Sequence, residues 1–559
     1  MNSDTNPILS EDFRTPFHRI EAAHVEPGIR SVLTAAKDRI EEIAASEKLP
    51  SWASVMEPLD TVTRWVSERI TPASHLVAVA ETPELREAYN AVLPEIAAFW
   101  TQVSIHQGLW SRLKAYAETD DAKALDPLRA RHLAKTIRDF RRAGADLPPE
   151  GRARLEELKV ELSTLQQRFS ENVLDATAAY ELLVEDAVRL DGVPEGPRNR
   201  YRTAAREKDL DGWLITLDFP AVEPILKYAH DRPLRREIFT AYTTRCRQGD
   251  HDNRELIVRV LALRQELADL LGYSSYPDYV LEERMARTGE QARRFEHDLT
   301  AKTLPYWQAD VDALREHAAR IGLDELRPWD VSYVSEHLRK EKFDIDDEML
   351  RPYFPLEQVE SGLFGIVQRV FGVEVRERNI DEVWHPDVRY FELHHEDGTW
   401  LGAFYTDWFP RKEKRQGAWM NDFVTGGPRA EGGFDPHLGV ICGNFTPPED
   451  DAPALLNHRE VQTLFHEFGH LLHHCTSRVP VRALGGLNVA WDWVELPSQF
   501  MENWTWEREA LDLFARHHET GEPLPADLFG RMVAARRFMG GWRQMRQLSF
   551  GTVDLALHD

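Results

Sequence analysis

The sequence predicts a mainly α protein, and three observations support that class. Apolar residues recur at three- and four-residue steps through most of 27–371, strand-like patterning is confined to 388–445, and helical spacing returns after Asn457. At 559 residues the chain exceeds what one hydrophobic core organises, so more than one domain is expected. We place the divisions at 1–150 (an N-terminal helical domain), 151–220 (a long helix and connecting region) and 221–559 (a large C-terminal domain).

From Pro27 to about Phe140 the pattern is all-α, with Pro50, Pro72 and Pro83 punctuating the segments. After Pro148-Pro149 one long amphipathic segment sets Leu155, Leu158, Leu162, Leu165, Phe169 and Val173 at helical spacing. A packed helix is expected there, because the seam lasts too few heptads for a coiled-coil dimer. Residues 182–216 mix charges with turn formers. Helical periodicity resumes from about Ala221 to Leu271, with Gly272 as a stop, and further helices broken at Pro328, Pro352 and Pro355 reach Phe371.

The runs 388–393 and 399–405 flank Asp397-Gly398, which reads as a β-hairpin. Beyond the glycine-rich loop 426–433, residues 437–445 read as another strand. Asn457 and Glu460 have capping-box spacing, and Val461, Leu464, Phe465, Phe468, Leu471 and Leu472 follow at helical periodicity, so a helix is expected over 458 to about 474.

Composition removes several function classes. With 68 basic and 94 acidic residues the formal charge is −26, which repels a phosphate backbone, so no nucleic-acid partner is expected. Three scattered cysteines cannot build a disulfide framework and fit a reducing compartment. The first twenty residues lack a secretory signal, and no later apolar run approaches membrane-spanning length. A cytoplasmic protein without a membrane partner is therefore expected.

His466-Glu467-Phe468-Gly469-His470 lies inside the expected helix. Four helical residues advance about 6 Å and turn a little past one revolution, so both imidazoles face one way. Such a pair binds one Zn²⁺, and Glu467 reaches a water on it without being a ligand. With 22 His and 94 acidic residues among 559, chance produces this pattern in roughly one such chain in ten. The alternative is a pair of hydrogen-bonded core histidines. A third ligand is needed to leave one position for water, and Glu495 is the candidate, although its spacing from Asp492 suits a capping box equally well. Glu502, seven residues on, shares a face with Glu495 and is either a partner for an imidazole N–H or an exposed carboxylate; Asp492 has the alternative role of orienting a ligand. His473, His474 and Cys475 are read as packing or surface groups.

The stretches HEFGHLLHH at 466–474 and WDWVELPSQFMENW at 491–504 resemble the thimet oligopeptidase family of zinc metallopeptidases. Further likeness lies in SHLVAVAETPELREAYNAVLP at 74–94, FSENVLDAT at 169–177, LRPYFP at 350–355 and VWHPDVRYFEL at 383–393, so it covers essentially the whole chain. The resemblance implies His466, His470 and Glu495 as zinc ligands and Glu467 as the residue that activates water. It also implies a two-lobed helical fold with a deep substrate channel and a small β-sheet beside the zinc helix. The implied substrates are short peptides cut internally, including degradation products and signal-peptide remnants, by a monomer carrying one zinc. The strand over 437–445 is expected to be available for pairing with a peptide backbone.

Members of that family continue past the point where this chain stops, through a segment with paired tyrosines and a histidine near the reacting carbonyl. This sets a second expectation, a zinc- and peptide-binding chain with little turnover, since such oxyanion donors contribute about two to three orders of magnitude in rate.

Overall fold

The computed structural model describes residues 6–345, 347–429, 431–448 and 453–559, the side chains of 347 and 348 excepted; Ala430 of the glycine-rich loop lies outside this set. The fold is mainly helical, as expected, and forms two compact units, each discontinuous in sequence. One draws on the described residues of 148–345 and 527–559, the other on those of 1–147 and 346–526.

In the first of these units the long helix Pro149–Ala178 buries Leu155, Leu158 and Leu162. It packs beside the helix Arg254–Leu270, with Asn172 Nδ2 donating to Asn253 Oδ1 at 2.7 Å. Gly272 follows that second helix with φ of +85°, the left-handed stop its position suggested. Phe169 remains 38% exposed, so the predicted apolar face is covered only over its first half. Residues 182–216 hold structure that their sequence did not announce. Strands β1 (Leu182–Val184) and β2 (Trp213–Ile215) pair antiparallel around the helix Glu195–Arg206. Three-residue strands offer too few alternations to show a period of two.

The other unit opens with the helices Ala22–Ala45, Glu57–Val79, Pro83–Ile105, Gln107–Ala117 and Pro127–Ala143. Pro83 begins its helix as expected, whereas Pro72 does not punctuate anything: it is buried inside Glu57–Val79, and the helix runs through it. Burial of Leu59, Val62, Val66, Ile70, Ala73, Leu76 and Val79 along one face outweighs the local cost of a helical proline.

A five-stranded sheet follows, made of β3 (Val373–Arg378), β4 (Arg389–His395), β5 (Trp400–Asp407), β6 (Trp419–Val424) and β7 (His437–Cys442). The predicted hairpin is β4–β5, turned at Gly398 with φ of +85°, and β7 is the predicted strand after the glycine-rich loop. The order is β3-β4-β5-β7-β6, so β7 lies between a parallel β5 and an antiparallel β6. The sheet is therefore larger than the sequence reading, which did not include β3 or β6. At the end of β5 the buried Asp407 is held by Arg411 and Lys414, and Arg411 also donates to Val79 O at 3.0 Å, tying the sheet to the helix Glu57–Val79.

The helix His458–Thr476 covers the centre of this sheet. Val461, Leu464, Phe465, Phe468, Leu471, Leu472 and Cys475 are all buried, and the Phe468 ring meets Phe404 of β5 edge-on at 5.7 Å. Gly439 permits the close approach, because a Cβ there would lie 2.9 Å from Leu471 Cδ1. No described helix is long and apolar enough to cross a membrane.

Candidate metal centre

The helix that carries the motif begins where the sequence placed it. Glu460 N donates to Asn457 Oδ1 at 2.9 Å and Asn457 N donates to Glu460 Oε2 at 2.8 Å, the reciprocal capping box. From this start His466 and His470 fall on one face, their rings 5.1 Å apart at 83°.

Glu495 arrives from the first residue of a second helix, Glu495–Glu502. The capping alternative does not hold, since Val494 occupies the cap and no side chain caps this helix. The two helices touch at Gly469. A Cβ on that residue would lie 2.6 Å from Ser498 Cα and 2.8 Å from Pro497 O, so only glycine allows this approach. Buried Ser498 accepts no role from sequence alone, yet its hydroxyl lies 2.9 Å from both Glu495 O and Glu495 Oε2. These two residues were missed by the motif reading. A glycine inside a strongly amphipathic helix was the available signal for the first.

Glu495 Oε2 ends 3.1 Å from His466 Nε2 and 3.2 Å from His470 Nε2. Metal bonds of about 2.0–2.1 Å at a tetrahedral angle put ligand atoms about 3.3–3.4 Å apart, close to both carboxylate–imidazole distances, and all three ligand atoms lie within 4.8 Å of one another. His466 Nδ1–H donates to Glu502 Oε1 at 2.7 Å, which fixes the tautomer and turns the Nε2 lone pair toward Glu495. Glu502 is thus a partner of the imidazole and not a free surface carboxylate. That hydrogen bond, with nearby carboxylates, raises the His466 pKa, while burial lowers that of His470.

Glu467 is buried beside the His466 imidazole, with its carboxylate near the backbone N–H of Met420 in β6. Burial pushes its pKa up to about 7, with the Glu495 charge adding to the rise and His466 and the Met420 N–H opposing it. His473, His474 and Cys475 are turned elsewhere. The His473 ring packs on Trp493 at 5.4 Å, His474 Nε2 donates to Val424 O at 3.1 Å, and Cys475 is fully buried. Asp492 is exposed at the surface. A second group, His517, His518 and Glu519, also gathers three possible ligand atoms, but on consecutive residues of a turn and without a flanking carboxylate on a helix.

One expectation is corrected by the topology. The strand over 437–445 has no edge to offer a peptide: β7 is paired on both sides and all its residues are buried. The outer strands of the sheet are β3 and β6, and β6 is the one that runs beside Glu467.

Comparison with known proteins matches residues 225–559 to the model "Peptidase family M3" and residues 29–152 to "Neurolysin/Thimet oligopeptidase, N-terminal domain". The chain is 40% identical to oligopeptidase A of Escherichia coli over 99% of this chain and 82% of that relative. It is 38% identical to a probable cytosolic oligopeptidase A of Arabidopsis thaliana, covering 99% of this chain and 81% of the relative. Similarity extends to a dipeptidyl carboxypeptidase of Salmonella typhimurium at 32% identity, over 99% of this chain and 82% of the relative.

Proposed function

This chain belongs to peptidase family M3, and from that premise we propose that it is a zinc-dependent endopeptidase of short peptides, with His466, His470 and Glu495 as ligands and Glu467 as the proton-transferring residue. The observation that carries the proposal is the convergence of three ligand atoms on one point, with a buried carboxylate one residue from the first of them.

The chemistry a bound zinc supplies is Lewis acidity, acting on a carbonyl oxygen and on the pKa of a water. The remaining work falls to the chain. Glu467 accepts the proton of the attacking water at its carboxylate and delivers it to the departing amine nitrogen. Burial beside the site favours proton uptake by Glu467, the first half of that transfer. Glu502 keeps His466 in the tautomer that leaves Nε2 unprotonated, and Ser498 restrains the Glu495 carboxylate. The outer edge of β6 offers backbone groups to an extended peptide, close to Glu467. Internal cleavage follows the greater similarity to oligopeptidases A than to the dipeptidyl carboxypeptidase. Degradation products and signal-peptide remnants are the substrates, and the protein works as a cytoplasmic monomer, a setting supported by three cysteines that are all unpaired.

The test is a quenched fluorescent peptide with product sites mapped by mass spectrometry, alongside zinc analysis. Cleavage inside the peptide should stop with a chelator and return with zinc. Glu467→Gln should keep the metal and lose at least about a thousand-fold in rate, the combined scale of proton transfer and metal-assisted attack. Chelator-insensitive cleavage, or a protein that takes up no zinc, would overturn the assignment. Release of dipeptides alone from the carboxyl end would overturn the endopeptidase part.

A further inference from the structure

A cavity of about 410 Å³ lies where the carboxyl end of β6 meets the helix Glu57–Val79 and the segment after the metal helix, and the chemistry above gives it no role. Its charged lining comes from Asp60, Arg64 and Glu68 on the helix, Asp422 on β6, and Arg482. Asp422 is two residues along β6 from Met420, whose N–H lies near the Glu467 carboxylate. At about 3.3 Å per residue this is about 7 Å of strand. A peptide laid along the free edge of β6 with its reacting bond at Glu467 therefore brings a side chain two to four residues away over this cavity.

The charges in the cavity are not equivalent. Arg64 is engaged by Glu68 at 3.0 and 3.2 Å, and Arg482 donates to Thr425 O at 3.0 Å and to Asp435 Oδ2 at 2.6 Å. Both cations are thus committed. Asp422 accepts one bond, from the Thr425 hydroxyl at 3.2 Å, and Asp60 has His132 Nε2 3.3 Å away. No guanidinium or ammonium is paired with either carboxylate among the described residues, and both side chains are half-buried, where a charge is less screened than on an open surface.

Resting on the peptidase reading above, we propose that this cavity is a subsite for a basic side chain, Lys or Arg, located two to four residues from the reacting bond of the bound peptide. Asp60 and Asp422 receive the cation, and the committed Arg64 and Arg482 form the walls against which its aliphatic stem lies.

The experiment uses the zinc-loaded full chain and a set of otherwise identical peptides carrying Lys, Leu or Glu in turn at each of the four positions on both sides of the cleaved bond. At one position two to four residues from that bond, kcat/KM should favour Lys over Leu by about five- to ten-fold, with Glu worst. The preference should shrink several-fold as salt is raised from 0.05 to about 0.5 M, which a preference of shape alone would not do. Asp422→Asn and Asp60→Asn should each collapse the Lys/Leu ratio toward one. Dissociation constants for the same peptides on zinc-loaded Glu467→Gln protein give the ratio independently of turnover. If no peptide is cleaved, the peptidase reading fails while the binding ratio still decides the subsite. Equal treatment of Lys and Leu at every position in both measurements, or a Lys preference that survives both Asp substitutions, overturns the inference.

Discussion

Replacing Gly469 by Ala sets two effects of opposite sign against each other. In a helix interior Ala is favoured over Gly by about 1 kcal/mol, so at an uncrowded site the substitution stabilises. Here the new Cβ would sit 2.6 Å from Ser498 Cα and 2.8 Å from Pro497 O. Carbon atoms rest about 3.5–4.0 Å apart, and both obstacles are backbone-bound and cannot rotate aside, so the helix Glu495–Glu502 must retreat by about 1 Å. Such overpacking costs about 1–3 kcal/mol, which cancels or exceeds the propensity gain. The metal site is less tolerant than the fold, because ligand distances hold to about 0.2 Å and Glu495 moves with its helix. We expect Gly469→Ala to weaken zinc binding by about 100-fold, measured by competition with a chromophoric chelator, and to leave the metal-free protein no more stable than the parent. Gly365, in the helix Leu356–Phe371 with nothing within 4 Å of a new Cβ, is the control, and Gly365→Ala should stabilise by about 1 kcal/mol. A Gly469→Ala protein that binds zinc like the parent, or gains stability as the control does, would refute the argument that contact at Gly469 places Glu495.

Glu502→Gln keeps a hydrogen-bond acceptor for His466 Nδ1 but removes its charge, and should weaken zinc binding by about ten-fold in the same competition; an unchanged constant would mean that the 2.7 Å bond does not orient the ligand. Zinc that binds only the folded chain should raise the unfolding temperature, by the equivalent of about 2.7 kcal/mol at a hundred-fold excess over its dissociation constant, and His470→Ala should abolish most of that rise. His75 tests burial by pH. It is fully buried among Phe17, Trp384 and Phe423 with no hydrogen bond among the described residues, and burial lowers its pKa to about 3. An unfolded chain takes up that proton near pH 6.5, so the contribution is complete above 6.5 and is lost as the pH falls toward 3, about 2 kcal/mol being gone at pH 5. His75→Leu should therefore gain about 2 kcal/mol relative to the parent between pH 7.5 and pH 5 in denaturant unfolding, and a difference independent of pH would contradict the burial argument.

Features written in consecutive residues were legible in the sequence. The capping box at Asn457 and Glu460, the helical face of the metal helix and the Asp397-Gly398 hairpin each need only a local pattern, and each is found in place. Features that depend on a partner far along the chain were not. Pro72 looks like a helix breaker until the burial of its neighbours is known. The strand β6, WMNDFV, has no alternation to announce it, and its edge position follows only from β7 pairing with β5. Nor could Glu495 be told from a capping residue by spacing, because what separates the two readings is the approach of Glu495 to His466, 29 positions away. The two units are assembled from segments hundreds of residues apart, for which a single sequence carries no local signal.

The position of β6 has a mechanistic consequence under the proposed function. Glu467 belongs to the metal helix, but its carboxylate lies near the backbone of β6, and β6 is one of the two outer strands of the sheet. One element then borders both the proton-transferring group and the line along which an extended peptide lies. That strand is in turn secured through β7 to β5, whose last residue Asp407 is anchored by Arg411 and Lys414. Breaking that anchor, as in Lys414→Met, leaves Asp407 buried with one cation fewer, and should cost about 3 kcal/mol or more of stability. The loss should appear as lower cleavage at elevated temperature with the zinc stoichiometry of the folded protein unchanged, because the ligands lie on the two helices and not on the sheet.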